Sequence, residues 1–245
     1  MLIEVIAAAK HIPDHDLTGK TAVVFDVLRA TSTITTALAN GCLGIFPVVS
    51  VEEARSLAAE PQKKINNAHP GIMLLAGERG GQKIPFFPHG NSPLEYTPQV
   101  VTGNYLVLTT SNGTRAISGA ARASDIFIAG MLNAKATALA AAKKGKDIVL
   151  ICAGTADKFS LEDTLAAGFV IQELLQLKPS LADSATGALR IAQHYAREPI
   201  RAFYDSRHGQ KLLRLGLEED IKWCARLNMY DFTSRYKDGK IELYR

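Results

Sequence analysis

Thr21-Ala22-Val23-Val24-Phe25-Asp26 decides the fold class: five apolar or β-branched residues in an unbroken run that ends on a carboxylate. A run this short, followed at once by helix-forming sequence, reads as a strand buried on both faces. Residues 31–40 supply the helix, which is closed by Gly41, a residue type favoured just past a helix end. The same couplet recurs along the chain. Strands are predicted at 45–49, 72–76, 105–109, 125–129 and 147–152. Helices are predicted from the capping box Ser50-Val51-Glu52-Glu53 to about Ala59, from about Gly113, from Asn133 to Gly145, and over 161–177. Alternation of this kind predicts a three-layer α/β/α architecture with a mainly parallel sheet.

The last 65 residues change character, turning helical and richer in Arg and Tyr. They predict an appended helical subregion over about 180–245, closing with a short edge strand at Lys240-Ile241-Glu242-Leu243-Tyr244-Arg245. No Pro/Ser linker, low-complexity tract or strict repeat interrupts the chain, so residues 1–245 read as a single domain. A domain of this length buries roughly three quarters of its unfolded surface and needs no disulfide or metal staple. Cys42, Cys152 and Cys224 are far apart and form no CxxC pair, which points to a reducing compartment. No signal peptide or long apolar span is visible, so the expected address is the cytoplasm. The excess of 28 Lys and Arg over 24 Asp and Glu is thin and scattered. It suits attraction of small anions better than the grip of a nucleic-acid backbone, and neither nucleic acid nor membrane is an expected partner.

In open parallel sheets ligands bind beyond the carboxyl ends of the strands. Segments at four predicted strand ends carry more polar chemistry than a connection needs. The first is Asp26-Val27-Leu28-Arg29-Ala30-Thr31-Ser32-Thr33. Asp26 there could attack phosphorus or hold magnesium. Arg29 offers a fork for an oxyanion, while Thr31, Ser32 and Thr33 set hydroxyls beside helix N–H groups or simply cap the helix. The second is Gly77-Glu78-Arg79-Gly80-Gly81, followed after a proline-rich loop by Gly90-Asn91-Ser92-Pro93. Glu78 and Arg79 read equally as metal ligand and anion clamp or as an exposed ion pair. Asn91 and Ser92 read a substrate or form a turn. The third is Thr110-Ser111-Asn112-Gly113-Thr114, a second hydroxyl-rich helix entrance and also a common turn sequence. The fourth runs from Ala153-Gly154-Thr155 through Asp157 to Ser160-Leu161-Glu162-Asp163. Asp157 is the hard oxygen donor of this group, since a helix cap at Ser160 already accounts for Glu162 and Asp163. Cys152 reads as packing, and His208, in Ser206-Arg207-His208-Gly209, is the histidine in the most site-like setting.

A P-loop, a Gly-x-Ser-x-Gly elbow and a His-Glu-x-x-His motif are absent from the sequence. Taken in order, Asp26 to Thr33, Gly77-Glu78-Arg79, Gly90 to Pro93, Thr110 to Thr114, Ala153-Gly154-Thr155 and Ser206 to Gly209 with Leu215-Gly216 resemble the 2-phosphosulfolactate phosphatase family of coenzyme M biosynthesis. The resemblance implies a magnesium-dependent phosphomonoester hydrolase that releases sulfolactate and phosphate. Phospholactate and phosphoglycolate are its natural alternatives as substrates, and an anion-binding protein without activity is the non-enzymatic one. The expected roles follow. Asp26, Arg29 and Ser32 are catalytic. Thr31, Thr33, Arg79, Asn91, Ser92, Ser111, Asn112, Gly113 and Thr114 bind substrate. Asp26, Glu78 and Asp157 hold Mg2+. A homodimer is the default assembly. One departure stands out: Phe86-Phe87-Pro88-His89 occupies a place where the family leads one to expect a Gly-Phe-Asp-like segment, which puts an acidic contribution there in doubt.

Overall fold

The computed structural model describes residues 1–59 and 71–245. Among the described residues eleven strands form one sheet. They are β1 (Leu2–Ile6), β2 (Thr21–Phe25), β3 (Gly44–Pro47), β4 (Met73–Arg79), β5 (Gln82–Lys83), β6 (Tyr105–Thr109), β7 (Asp125–Ala129), β8 (Ile148–Cys152), β9 (Ser180–Leu181), β10 (Thr233–Lys237) and β11 (Lys240–Tyr244). The helices are α1 (Ala30–Ala39), α2 (Val51–Ala59), α3 (Pro98–Val101), α4 (Gly113–Gly119), α5 (Ala134–Ala142), α6 (Leu161–Leu174), α7 (Asp183–Tyr195), α8 (Ile200–Asp205), α9 (Arg207–Arg214) and α10 (Glu218–Cys224).

The strand order is β5-β4-β6-β3-β11-β10-β7-β2-β8-β1-β9. β2 lies parallel between β7 and β8, in register from Thr21 to Phe25 on both sides. Its residues alternate between two cores. Val23 and Phe25 join the cluster under α5, α6 and α7, while Ala22 and Val24 join the one under α1 and α4. A strand that feeds both layers has no solvent face, which is why its sequence is continuously apolar rather than alternating. The three-layer, mainly parallel reading therefore holds. No helix among the described residues is long and apolar enough to cross a membrane.

The closing segment corrects one expectation. β11 is internal rather than an edge strand: it pairs antiparallel with β10 and with β3, and β10 pairs antiparallel with β7. This hairpin joins the parallel block β4-β6-β3 to the parallel block β7-β2-β8-β1. Its lysines and glutamate mimic the charge with which proteins blunt exposed edges. In the fold Ser234 and Ile241 are fully buried, while the partly buried Arg235 donates to Glu242 at 3.2 Å. The helical expectation for the stretch before it is met by α7 to α10.

The proline-rich loop before α3 is fastened to β4. Gly77 N donates to His89 O and His89 N to Leu75 O, while the buried Tyr96 hydroxyl donates to Gly90 O. This holds the segment so that Asn91 comes to the sheet's carboxyl end.

Candidate active site

The carboxyl ends of β2, β4, β6 and β8, although dispersed in the strand order, meet around one cleft of about 220 Å³. They meet because α4 leans across onto β2, so the turn after β6 reaches the end of β2. Gly113 makes that approach possible. A Cβ there would lie 2.7 Å from Asp26 Oδ2 and 2.7 Å from the Cβ of Ala30. The constraint is space and not backbone strain. Gly113→Ala should cost about 1–3 kcal/mol of stability by overpacking and depress kcat, read by melting and steady-state rates side by side. Unchanged values in both would contradict this packing.

Asp26, Arg29, Glu78, Asn91, Ser111 and Asn112 all line the cleft. Asp26 is 9% exposed, and its carboxyl accepts from the backbone N–H of Ala30. Burial, then the negative charges of Asp163 and Glu78, push its pKa well above the carboxylate range. Glu78 is anchored at both oxygens, Oε1 accepting from Ser111 N at 2.7 Å and Oε2 from Gly81 N at 2.6 Å. Arg29 is 4% exposed and donates to Asp220 Oδ2 and to Gly81 O, each at 2.6 Å. Among the described residues Asn91 Oδ1 is buried with no hydrogen-bond partner. An orphaned acceptor at a cleft wall is costly unless something enters to meet it.

Other predicted residues are employed by the fold. Thr31 Oγ1 accepts from Asp26 N at 3.3 Å, Ser32 Oγ donates to Val27 O at 2.8 Å, and Thr33 Oγ1 donates to Asn91 O at 2.9 Å. All three are fully buried, so these hydroxyls shape the turn after β2 and hold the Asn91 loop. Thr114 does the same after β6, exchanging bonds with Thr110 at the start of α4. Ser92 Oγ donates to Asp220 Oδ1 at 2.6 Å. Arg79 is turned away from the cleft, to Glu78 O, Thr109 Oγ1 and Val49 O. Asp157 is not brought to the cleft either. Its carboxylate pairs with Arg115, with both side chains nearly half exposed. An exposed pair of this kind contributes about 0.2–1 kcal/mol. Asp157→Asn is therefore expected to hold turnover within about threefold of the unsubstituted protein, well short of the tenfold that about 1.4 kcal/mol of barrier would produce. A loss above tenfold at saturating magnesium would return Asp157 to the site. The Phe86 to His89 departure lies outside the cleft: Phe86 is 95% exposed, Phe87 is buried, and His89 packs on Tyr96.

Sequence reasoning missed Asp220 and Lys211, and it undervalued the pair at the start of α6. Ser160 does cap α6, accepting from Asp163 N. Asp163 is nevertheless buried, and its oxygens accept from Val27 N at 2.8 Å and Gly154 N at 3.2 Å, bracing the turns after β2 and β8. Burial and then Glu162 raise its pKa to about 8. His208, weighed from sequence as a candidate, does line the cleft, with Nδ1 3.3 Å from Thr155 Oγ1. Burial, followed by the Lys211 charge, pulls it down to about 4, while burial raises Glu162. His208 Nδ1 also approaches Glu162 Oε1 at 3.8 Å, a contact in which burial disfavours the charge of either partner. Cys152 is fully buried against Thr164, its thiol kept protonated by burial.

Among the described residues no group of three His, Cys, Asp or Glu side chains is drawn together as a ready metal centre. The oxygen set of Asp26, Glu78 and the unpartnered Asn91 Oδ1 around one cleft is still of the hard type that suits Mg2+. A buried acid–arginine constellation at strand ends, with polar groups left over for a ligand, defines an α/β enzyme site for a small anion.

Comparison with known proteins narrows that class. The description of the 2-phosphosulpholactate phosphatase family matches residues 6–239. A protein of Clostridium acetobutylicum named "Probable 2-phosphosulfolactate phosphatase" is 39% identical, over 98% of this chain and 100% of its own length. Proteins of the same name from Clostridium perfringens (strain SM101) and Caldanaerobacter subterraneus are 41% and 40% identical, with at least 96% of each chain covered. The chain belongs to the 2-phosphosulfolactate phosphatase family, whose reaction class is phosphoric monoester hydrolysis.

Proposed function

We propose that the cleft hydrolyses 2-phosphosulfolactate to sulfolactate and inorganic phosphate with Mg2+ as cofactor, as a cytoplasmic step of coenzyme M biosynthesis. Family membership supports the reaction, and the observation that carries it to particular atoms is the Asp26–Arg29–Glu78 constellation around one strand-end cleft. The three buried, unpaired cysteines agree with a reducing compartment.

Arg29, held at two points by Asp220 and Gly81, has its guanidinium fixed before substrate arrives. Preorganised charge of this kind stabilises a transferring phosphoryl group without reorganisation cost. Asp26, Glu78 and Asn91 Oδ1 are the residues that would hold Mg2+. When bound, the ion would offset charge on the phosphate oxygens. Such an ion would also relieve the mutual repulsion of Asp26 and Glu78 and satisfy the orphaned Asn91 oxygen. In hydrolysis the ester P–O bond breaks, the oxygen of water ends on phosphorus, and the sulfolactate oxygen leaves with a proton. Asp26 serves either as the attacking carboxylate or as a cation ligand, and both roles need its ionised form.

The test is phosphate release from 2-phosphosulfolactate, phospholactate and phosphoglycolate, with EDTA and after magnesium is restored. Release from phosphosulfolactate that EDTA abolishes and Mg2+ restores is the expected result. Preference for phosphoglycolate would overturn the substrate, and release indifferent to EDTA would overturn the cofactor.

A further inference from the structure

A second cavity, of about 590 Å³, opens beside the cleft and shares Thr155, Ala156, His208 and Lys211 with it. Its chemistry is the reverse of the cleft's. Lys158, Arg207, Lys211 and Arg214 all line it, and among the described residues none of these side chains makes an ion pair or hydrogen bond. Its acids are Asp205, which accepts from the Tyr195 hydroxyl at 2.9 Å, and Glu162, whose charge is disfavoured by burial. Three of the cations follow the spacing i, i+4, i+7 on α9, so they share one face of that helix. The helix is rigidly seated. Leu212 is fully buried, and Gly209 lies so near α8 that a Cβ would meet Phe203 O at 1.8 Å. Unpaired cations on a fixed helix face, next to a phosphate cleft, are an arrangement for a second anionic group on the same ligand.

Resting on the hydrolase reading above, we propose that this cavity is the subsite for the sulfonate of the substrate, held chiefly by Arg207 and Arg214 while the phosphate occupies the Asp26–Arg29 cleft. Guanidinium groups present paired donors that match the oxygens of a tetrahedral sulfonate better than a lysine does. Lys211, lining both cavities, spans the two anionic ends. The subsite supplies an anion clamp of the kind for which Arg79 is the candidate in the sequence. It makes the enzyme selective for phosphorylated hydroxyacids that carry a second strongly acidic end.

The experiment compares the unsubstituted protein with Arg207→Gln/Arg214→Gln on 2-phosphosulfolactate and on phospholactate, which differ only in the sulfonate. Calorimetric binding of sulfolactate is measured alongside. The double variant should lose about 10–100-fold more kcat/KM on phosphosulfolactate than on phospholactate, mostly through KM, and bind sulfolactate about tenfold or more weakly. Equal losses on both substrates, or unchanged discrimination and sulfolactate affinity, would overturn the subsite and leave the hydrolase reading standing. Sulfolactate binding that depends on these arginines in a protein releasing no phosphate would overturn the hydrolase reading and leave the subsite standing. No measurable binding to the unsubstituted protein would overturn the subsite.

Discussion

Asp26→Asn is expected to lower turnover of the phosphorylated substrate by at least ~100–1000-fold, the scale on which single electrostatic groups act in preorganised sites, while the protein melts no lower than before. The two halves of this result have one cause. Asp26 sits in buried company with Asp163 and Glu78, which disfavours its charge. Asparagine keeps the shape, retains an acceptor for the Ala30 N–H and removes the repulsion, so the fold does not suffer. What is lost is the ionised carboxylate, whether as nucleophile or as magnesium ligand. Lost function with kept or raised stability is the signature of a group retained for chemistry rather than for folding. Steady-state rates over a magnesium titration and a thermal melt provide the check, and near-normal magnesium-dependent turnover would remove Asp26 from both roles.

Asp220→Ala should produce the largest change in stability. Asp220 and Arg29 are each 4% exposed on their side chains and meet at 2.6 Å. Removing the acid strands a guanidinium in the interior, at about 3–5 kcal/mol. In a chain of this size each kcal/mol moves the melting temperature by about 2–4 °C, so a fall of roughly 6–20 °C is expected. Ser92, which also holds Asp220, loses its partner at the same time. Activity should fall as well, because Arg29 keeps only its bond to Gly81 O. The paired variant Arg29→Met/Asp220→Leu separates the two effects. Replacing a whole buried pair with apolar side chains is often neutral or stabilising, so the melt should recover while turnover does not. An Asp220→Ala protein that melts like its parent would show that the pair carries no such weight.

The residues that sequence reading missed share a physical feature: the groups they come to lie beside are remote in the chain. Asp220 stands in Glu218-Glu219-Asp220, which alone looks like an acidic first helical turn. Its partner Arg29 lies 191 residues away. Lys211 and Arg214 look like solvated helix lysines and arginines until α9 is placed beside the cleft. Thr31, Ser32, Thr33 and Thr114 erred in the other direction. Their hydroxyls sit at helix entrances, where both a cap and an anion site are possible, and the fold uses them internally.

The alternation of apolar runs with helix signals was enough to determine a three-layer, mainly parallel α/β protein, because burial on both faces leaves a strand no polar positions. It was also enough to bring Asp26, Arg29, Glu78 and Asn91 forward as polar residues at strand ends, and the structure gathers these four around one cleft. Tertiary structure alone decided the rest. It put the C-terminal hairpin in the middle of the sheet, turned Arg79 and Asp157 away from the cleft, and gave Arg29 its anchor in Asp220. Side-chain direction and long-range pairing depend on how elements pack, and local periodicity carries no information about that.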